Sequence, residues 1–209
     1  AVLLLDEPFA SVDRSLRDAL HREFLALRHE LKIPIVLVTH DFDDVARLAS
    51  HLVMLDHGRV TAAGSVSEVT AANALPGVSA WREPAVALDA TVAATDDVRR
   101  LSTVRTGDLE LLVPRIDAPA GARVRLQIAA REVILATRRP TELSIHNVVS
   151  ARVVALEPAA HGACLVRLRA GSVPLLAMVT SDAIERLEIT PHREVFALVK
   201  AVAIDTFAC

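Results

Sequence analysis

The hydrophobic rhythm of this chain changes twice along its length. Ala1-Val2-Leu3-Leu4-Leu5 is an uninterrupted apolar run, the pattern of a strand inside a sheet, and it stops abruptly at Asp6-Glu7-Pro8. The period then becomes helical. Behind Asp13, a good N-cap, Leu16, Leu20, Phe24, Leu27 and Leu31 fall on one face, which predicts a helix to about Leu31. Pro34 ends it and opens a second apolar strand, Ile35-Val36-Leu37-Val38-Thr39, which runs into His40-Asp41. Asp41 can cap a short helix through Phe42, Val45, Leu48 and Ala49. Leu52 to Leu55 and Val60 to Ala63 read as strands around an Asp56-His57-Gly58-Arg59 hairpin turn. Ser65-Val66-Ser67-Glu68 is a capping box for a last short helix.

Asn73 to Pro84 has no period and carries Pro76, Gly77 and Pro84, so it reads as a linker. Beyond it the pattern becomes short alternating strands: Val86 to Val92, Val98 to Val104, Leu109 to Val113, Val124 to Ile128 and Glu132 to Leu135. Turn signals at Asp96-Asp97, Gly107-Asp108 and Pro119 to Gly121 separate them, the spacing of a small β-barrel. Thr137 to Thr141, with Pro140, is a second hinge. Strands at Asn147 to Leu156, Cys164 to Ala170, Val173 to Val179 and Val195 to Ile204 then form another β unit, with a short helix over Ser181 to Leu187 capped by Ser181. The expected organisation is an α/β part over 1–72, a linker over 73–84, a β lobe over 85–137 and a second over 138–209. The two lobes are candidates for a divergent repeat, although their identity is too low to establish one.

Composition narrows the class only a little. Hydrophobic residues make up 52% and charged residues 23%, ordinary for a globular chain. A net charge of -3 argues against a nucleic-acid partner. No apolar run approaches the ~18 residues needed to cross a bilayer. Cys164 and Cys209 have neither metal-site spacing nor a disulfide framework, which suits a reducing compartment. Tyrosine is absent and Trp81 is the one tryptophan, so cores must be built from Leu, Val, Ile and Ala. His51 and His57 read as turn and surface residues.

The chemistry concentrates at the two strand ends. Parallel strands joined through a helix bring their carboxyl ends to one edge of the sheet, where Asp6, Glu7 and His40 could converge on one ligand. Leu3-Leu4-Leu5-Asp6-Glu7-Pro8, Ala10-Ser11-Val12-Asp13 and Thr39-His40-Asp41 resemble, in order and spacing, the Walker B strand, D-loop and switch-histidine loop of an ABC-transporter ATPase domain. The resemblance covers about the first 70 residues and implies a partial P-loop NTPase fold of the α/β class, with ATP and magnesium as ligands. In that family Asp6 would hold magnesium through its water shell. Glu7 would orient and deprotonate the attacking water, His40 would contact the γ-phosphate, and Asp13 would act across a dimer of ATPase domains. No Gly-x-x-x-x-Gly-Lys-Ser/Thr and no Leu-Ser-Gly-Gly-Gln occurs in the sequence. Both lie upstream of Walker B in the family, so the chain reads as the C-terminal part of a longer protein and is expected to be inactive on ATP by itself.

The last lobe adds a second resemblance. Thr141-Glu142-Leu143-Ser144-Ile145-His146-Asn147-Val148-Val149-Ser150-Ala151-Arg152-Val153, Ala177-Met178-Val179-Thr180-Ser181 and Ala197-Leu198-Val199-Lys200-Ala201 resemble a TOBE/Mop domain, a small OB-like all-β barrel that binds molybdate. It implies a regulatory oxyanion site for molybdate or tungstate built from Ser144, His146, Asn147, Thr180, Ser181 and Lys200. The family usually has arginine where this chain has His146, and arginine alone keeps its charge and forked geometry at every pH. Together the two resemblances point to the ATP-hydrolysing subunit of a molybdate importer. It would work as a homodimer, peripheral on the cytoplasmic face of the membrane, with permease subunits as partners and a periplasmic or extracellular binding protein acting indirectly. The alternatives are an ATPase subunit for sulfate, sugar, iron or polyamine, and a non-catalytic oxyanion-binding module.

Overall fold

The computed structural model describes residues 1–31, 33–72 and 84–208, so the expected linker over 73–84 lies almost entirely outside the described residues. At the N-terminus β1 (Leu3–Asp6) runs parallel to β2 (Ile35–Val38), from Leu3 opposite Ile35 to Asp6 opposite Val38. The crossover is α1 (Arg14–Leu31), whose first turn is capped by Asp13: its Oδ1 accepts from Leu16 N at 3.1 Å. The chain continues through α2 (Phe42–Leu48), the hairpin of β3 (His51–Asp56) and β4 (Arg59–Ser65), and α3 (Val66–Ala72). Asp41 caps α2 by accepting from Asp43 N at 2.9 Å. At α3 the Glu68 carboxylate accepts from Ser65 N and Oγ at 3.0 and 2.7 Å, the expected capping box.

Among the described residues β1 pairs with β2 alone, and Leu4, Val36 and Val38 on one face are exposed. One sequence expectation changes here: apart from Phe24, the apolar stripe of α1 is not its packed side. Leu16, Leu20, Leu27 and Leu31 are exposed, while Arg17, His21, Phe24 and Arg28, again at helical spacing, turn toward the rest of the molecule.

The remainder is two five-stranded antiparallel sheets. The first has the order β14-β8-β5-β6-β7 and the second β9-β13-β10-β11-β12. The strands are β5 (Ala85–Asp96), β6 (Leu101–Thr106), β7 (Leu109–Pro114), β8 (Arg123–Ala129), β9 (Val133–Ala136), β10 (Asn147–Pro158), β11 (Ala163–Ala170), β12 (Val173–Thr180), β13 (Glu194–Val199) and β14 (Ile204–Ala208). These orders are the same arrangement twice. Each unit opens with a 12-residue strand that carries a bulge, at Val92/Ala94 and at Val153/Ala155. Each has a hairpin turning on a positive-φ glycine, Gly107 or Gly171. Each ends with a 3₁₀ turn around a buried alanine, Ala130 or Ala201, before its last strand. The repeat that sequence identity left open is therefore visible in topology.

The division at residue 137 does not follow the sheets. β9, expected in the first lobe, pairs with β13 of the second, and β14 pairs with β8 of the first. The two units exchange their last strands. The expected strand Val195 to Ile204 is accordingly broken by the 3₁₀ turn over Ala201–Ala203, which sends the chain from one sheet to the other. The strand expected from Val98 starts at Leu101, because residues 97–100 form the turn and leave Val98 exposed. One apolar core runs through both sheets, from Val86, Val104 and Val113 to Val153, Val166 and Val195. Exchange of strands and a shared core make the lobes one packing unit.

The α/β part is seated on that unit through α2 and α3. Phe42, Val45, Ala46 and Val66 pack with Ala85 and Ala87 of β5, with Phe207 of β14 against them. Arg125 donates to the carbonyls of Ala49 at 2.6 Å and Ala46 at 3.3 Å, at the end of α2. Gln127 donates to Asp43 Oδ1 at 2.6 Å, and the Arg47 guanidinium lies 4.8 Å from the centre of the Phe207 ring. No helix among the described residues is long and apolar enough to cross a membrane.

Candidate functional site

The parallel pairing of β1 with β2 places Asp6-Glu7 and Thr39-His40 side by side. Glu7 continues the strand ladder, its N–H donating to Val38 O at 2.9 Å, but its own φ is +46°, in the left-handed region a side chain rarely adopts. That kink turns the carboxylate across the strand end to His40, whose Nδ1 lies 2.7 Å from Glu7 Oε1. His40 is largely exposed and Glu7 partly so, which leaves the pair open to a ligand. The Asp6 carboxylate is exposed one residue earlier and has no hydrogen bond or ion pair among the described residues. The geometry thus joins Glu7 to His40 with Asp6 alongside, while Asp13 caps α1.

Behind His40 stands a buried polar cluster that the sequence reading missed. His21 and Asp44 are each 2% exposed, and His21 Nε2 lies 2.8 Å from Asp44 Oδ1. Asp44 Oδ2 accepts from the Thr39 hydroxyl at 2.9 Å, and the same hydroxyl oxygen accepts from Asp41 N at 3.1 Å. Arg17, one turn before His21, donates to Asp41 Oδ2 and, at 2.9 Å, to Phe9 O. Burial pushes the Asp44 carboxyl above the usual aspartate range. The Thr39 hydrogen bond opposes that shift, and the nearby Asp41 charge adds to it. The signal in sequence was the i, i+4 pair Arg17/His21, hidden by a stronger apolar stripe on the other side of the helix.

The residues expected to bind an oxyanion fall into two groups. Ser144 and His146 are exposed on the irregular stretch before β10. Asn147 pairs with Val199 at the end of the β10–β13 ladder, and His146 and the exposed Lys200 are the next residues beyond that pair. Asn147 itself is buried. Its Oδ1 accepts from Leu112 N at 2.7 Å, and its Nδ2 donates to Leu112 O at 2.8 Å and Val199 O at 3.2 Å. Both amide donors are thereby spent on backbone carbonyls. Thr180 and Ser181 lie at the far end of β12. Through β11, Thr180 aligns with Ala163 and Cys164 with Pro158, the opposite end of β10 from Asn147. Thr180, not Ser181, caps α4 (Ser181–Arg186), accepting from Ala183 N at 3.1 Å, because it holds the extended backbone a cap requires. One copy of the chain does not bring the two groups together.

Comparison with known proteins gives first a class. A TOBE domain matches residues 143–205. The fold is similar to a crystal structure of the cytoplasmic molybdate-binding protein ModG with molybdate bound, at a TM-score of 0.53 and 22% identity over 59% of this chain and 95% of that one, a likeness of fold alone. The particular likeness is to molybdenum import ATP-binding proteins ModC. That of Aromatoleum aromaticum is 42% identical over 97% of this chain and 54% of its own length, and that of Rhizobium meliloti 37% over 98% and 57%. ModC 1 of Azotobacter vinelandii is 40% identical over 97% and 56%. The chain spans about half the length of the curated relatives it matches, and it is similar to them along nearly all of its own length.

Proposed function

We propose that the chain is the C-terminal portion of the ATP-hydrolysing subunit of an ABC importer for molybdate, ending in an oxyanion-binding regulatory domain. The observation that carries this is the Glu7–His40 pair, closed at 2.7 Å across the ends of two adjacent parallel strands, in a sequence similar to ModC along nearly its whole length. In this reading Glu7 would hold a water and take its proton, and His40 would orient Glu7 and meet the terminal phosphate. Asp6, a hard oxygen donor with no hydrogen bond or ion pair among the described residues, fits a magnesium ion that keeps most of its waters, and the ion would supply charge neutralisation at the phosphates. Asp13, at the N-terminus of α1, would face a second ATPase domain.

The β lobes fit the regulatory role in a way that calls for two copies. Ser144, His146 and Lys200 at one end of the second sheet, and Thr180 and Ser181 at the other, would complete one molybdate or tungstate site only when two chains meet end to end. Lys200 supplies the permanent positive charge, and Asn147 holds the strand that presents His146. The whole protein would then be a homodimer, peripheral on the cytoplasmic side of the membrane and bound to permease subunits. An upstream segment would supply the phosphate-binding loop.

The test is ATP turnover by the full-length protein. Glu7→Gln should lower kcat by at least about a hundredfold while ATP still binds, because the amide keeps the shape but cannot take a proton. His40→Ala should lower it comparably. Turnover at the wild-type rate in both would remove these residues from the reaction.

A further inference from the structure

We propose that His21, Asp44 and Thr39 form a positioning relay that fixes the loop carrying His40 against Glu7. The inference rests on the ATP-hydrolysis reading above and adds residues which that reading does not use. Among the described residues none of the three makes a hydrogen bond or ion pair with Glu7 or the His40 ring. They act through the backbone on either side of His40.

The geometry is saturated in one direction. Both oxygens of Asp44 are occupied, one by His21 Nε2 and one by the Thr39 hydroxyl, so the hydroxyl proton of Thr39 has a fixed direction. Its oxygen is then free to accept from the N–H of Asp41. The residues before and after His40 are therefore tied to one carboxylate, and that carboxylate is tied to α1. Arg17 reinforces the tie from the next turn of the same helix face, through Asp41 and the carbonyl of Phe9. Phe9 closes the cluster from the β1 side, its ring edge-on to His21 with centroids 4.7 Å apart. The loop that must hold His40 to Glu7 thus has no slack on its buried side.

The chemistry says what kind of relay this is. With Nε2–H donating to Asp44, His21 Nδ1 is a buried lone pair with no partner. That nitrogen faces no group to which it could hand a proton, so the cluster passes orientation, not a proton. A buried polar pair is also a poor way to gain stability, since apolar residues of the same size would pack as well. Its use is directional: a hydrocarbon side chain cannot fix the Thr39 hydroxyl. Small misplacements of catalytic groups are costly, and residues that only orient them typically matter by ten- to a hundredfold.

The experiment uses the full-length protein, with steady-state ATP hydrolysis and thermal melting on each variant. Thr39→Val removes the hydroxyl and leaves the His21–Asp44 pair whole. His21→Leu removes the ring's donor, and His21→Gln returns a donor at similar reach. The relay predicts that Thr39→Val and His21→Leu each lower kcat about ten- to a hundredfold with KM for ATP within about twofold. His21→Gln should recover most of that loss, and His21→Leu should add nothing in a His40→Ala background. Wild-type turnover in Thr39→Val and His21→Leu beside an inactive His40→Ala overturns the relay alone. So does a loss in Thr39→Val matched by an equal fall in folded protein. Wild-type turnover in His40→Ala overturns the hydrolysis reading, and the relay with it.

Discussion

At the scale of single residues, the candidate site divides by how its members announce themselves. Asp6, Glu7 and His40 were legible because each ends an apolar strand, and parallel pairing fixes where strand ends go. His21 and Asp44 were not legible. They are ordinary polar positions in two helices, and their partnership exists only once those helices meet. Asn147 shows the reverse case. It stood in the sequence among the oxyanion candidates, and in the fold its amide clamps Leu112 of the first sheet to Val199 of the second. Asn147→Ala should therefore destabilise the chain by about 2–4 kcal/mol in denaturant unfolding, since three buried backbone groups lose their partner. A loss under about 0.5 kcal/mol would mean that water or movement replaces the clamp.

At the scale of elements, most strands and both helix caps at Asp13 and Asp41 followed from pattern and turn chemistry. The strand exchange did not. Val195, Ala197, Val199, Ala201 and Ala203 keep an apolar alternation straight through the 3₁₀ turn, so nothing in the pattern marks the point where the chain changes sheets. What pins the exchanged units together is partly polar. Asp108, in the β6–β7 turn, accepts from Ser172 N at 2.9 Å and Ser172 Oγ at 2.7 Å in the equivalent β11–β12 turn. The glycines of both turns leave no room for a side chain: a Cβ on Gly107 would lie 2.5 Å from Ser172 Oγ, and one on Gly171 1.8 Å from Asp108 Oδ2. The Ser172 hydrogen bonds hold the Asp108 carboxyl below the usual aspartate range. A depressed carboxyl contributes stability that is present above the unfolded-state pKa and lost as pH falls through the folded value. Asp108→Asn should thus melt below the wild type at pH 7, and the gap should close as the pH drops below the ordinary aspartate range. A gap that stays constant down to acid pH would assign the staple to something other than the charge.

At the scale of the whole molecule, the chain couples two sites through one short helix. α2 begins at the loop that carries His40 and ends under Arg125. Its side rests on β5 and on Phe207 of β14, the strand that follows Lys200 after a single 3₁₀ turn. The candidate hydrolysis edge and the candidate oxyanion lobe are therefore parts of one packed body. The molybdate part of the proposed function rests on the lobe's likeness to a TOBE domain, and titration calorimetry of the chain with molybdate, beside sulfate as control, tests it most directly. The account predicts heat with molybdate and none with sulfate. It also predicts weaker binding in Lys200→Ala and tighter binding in His146→Arg, which restores a permanent forked cation. No heat and no rise in melting temperature with molybdate at millimolar concentration would contradict it.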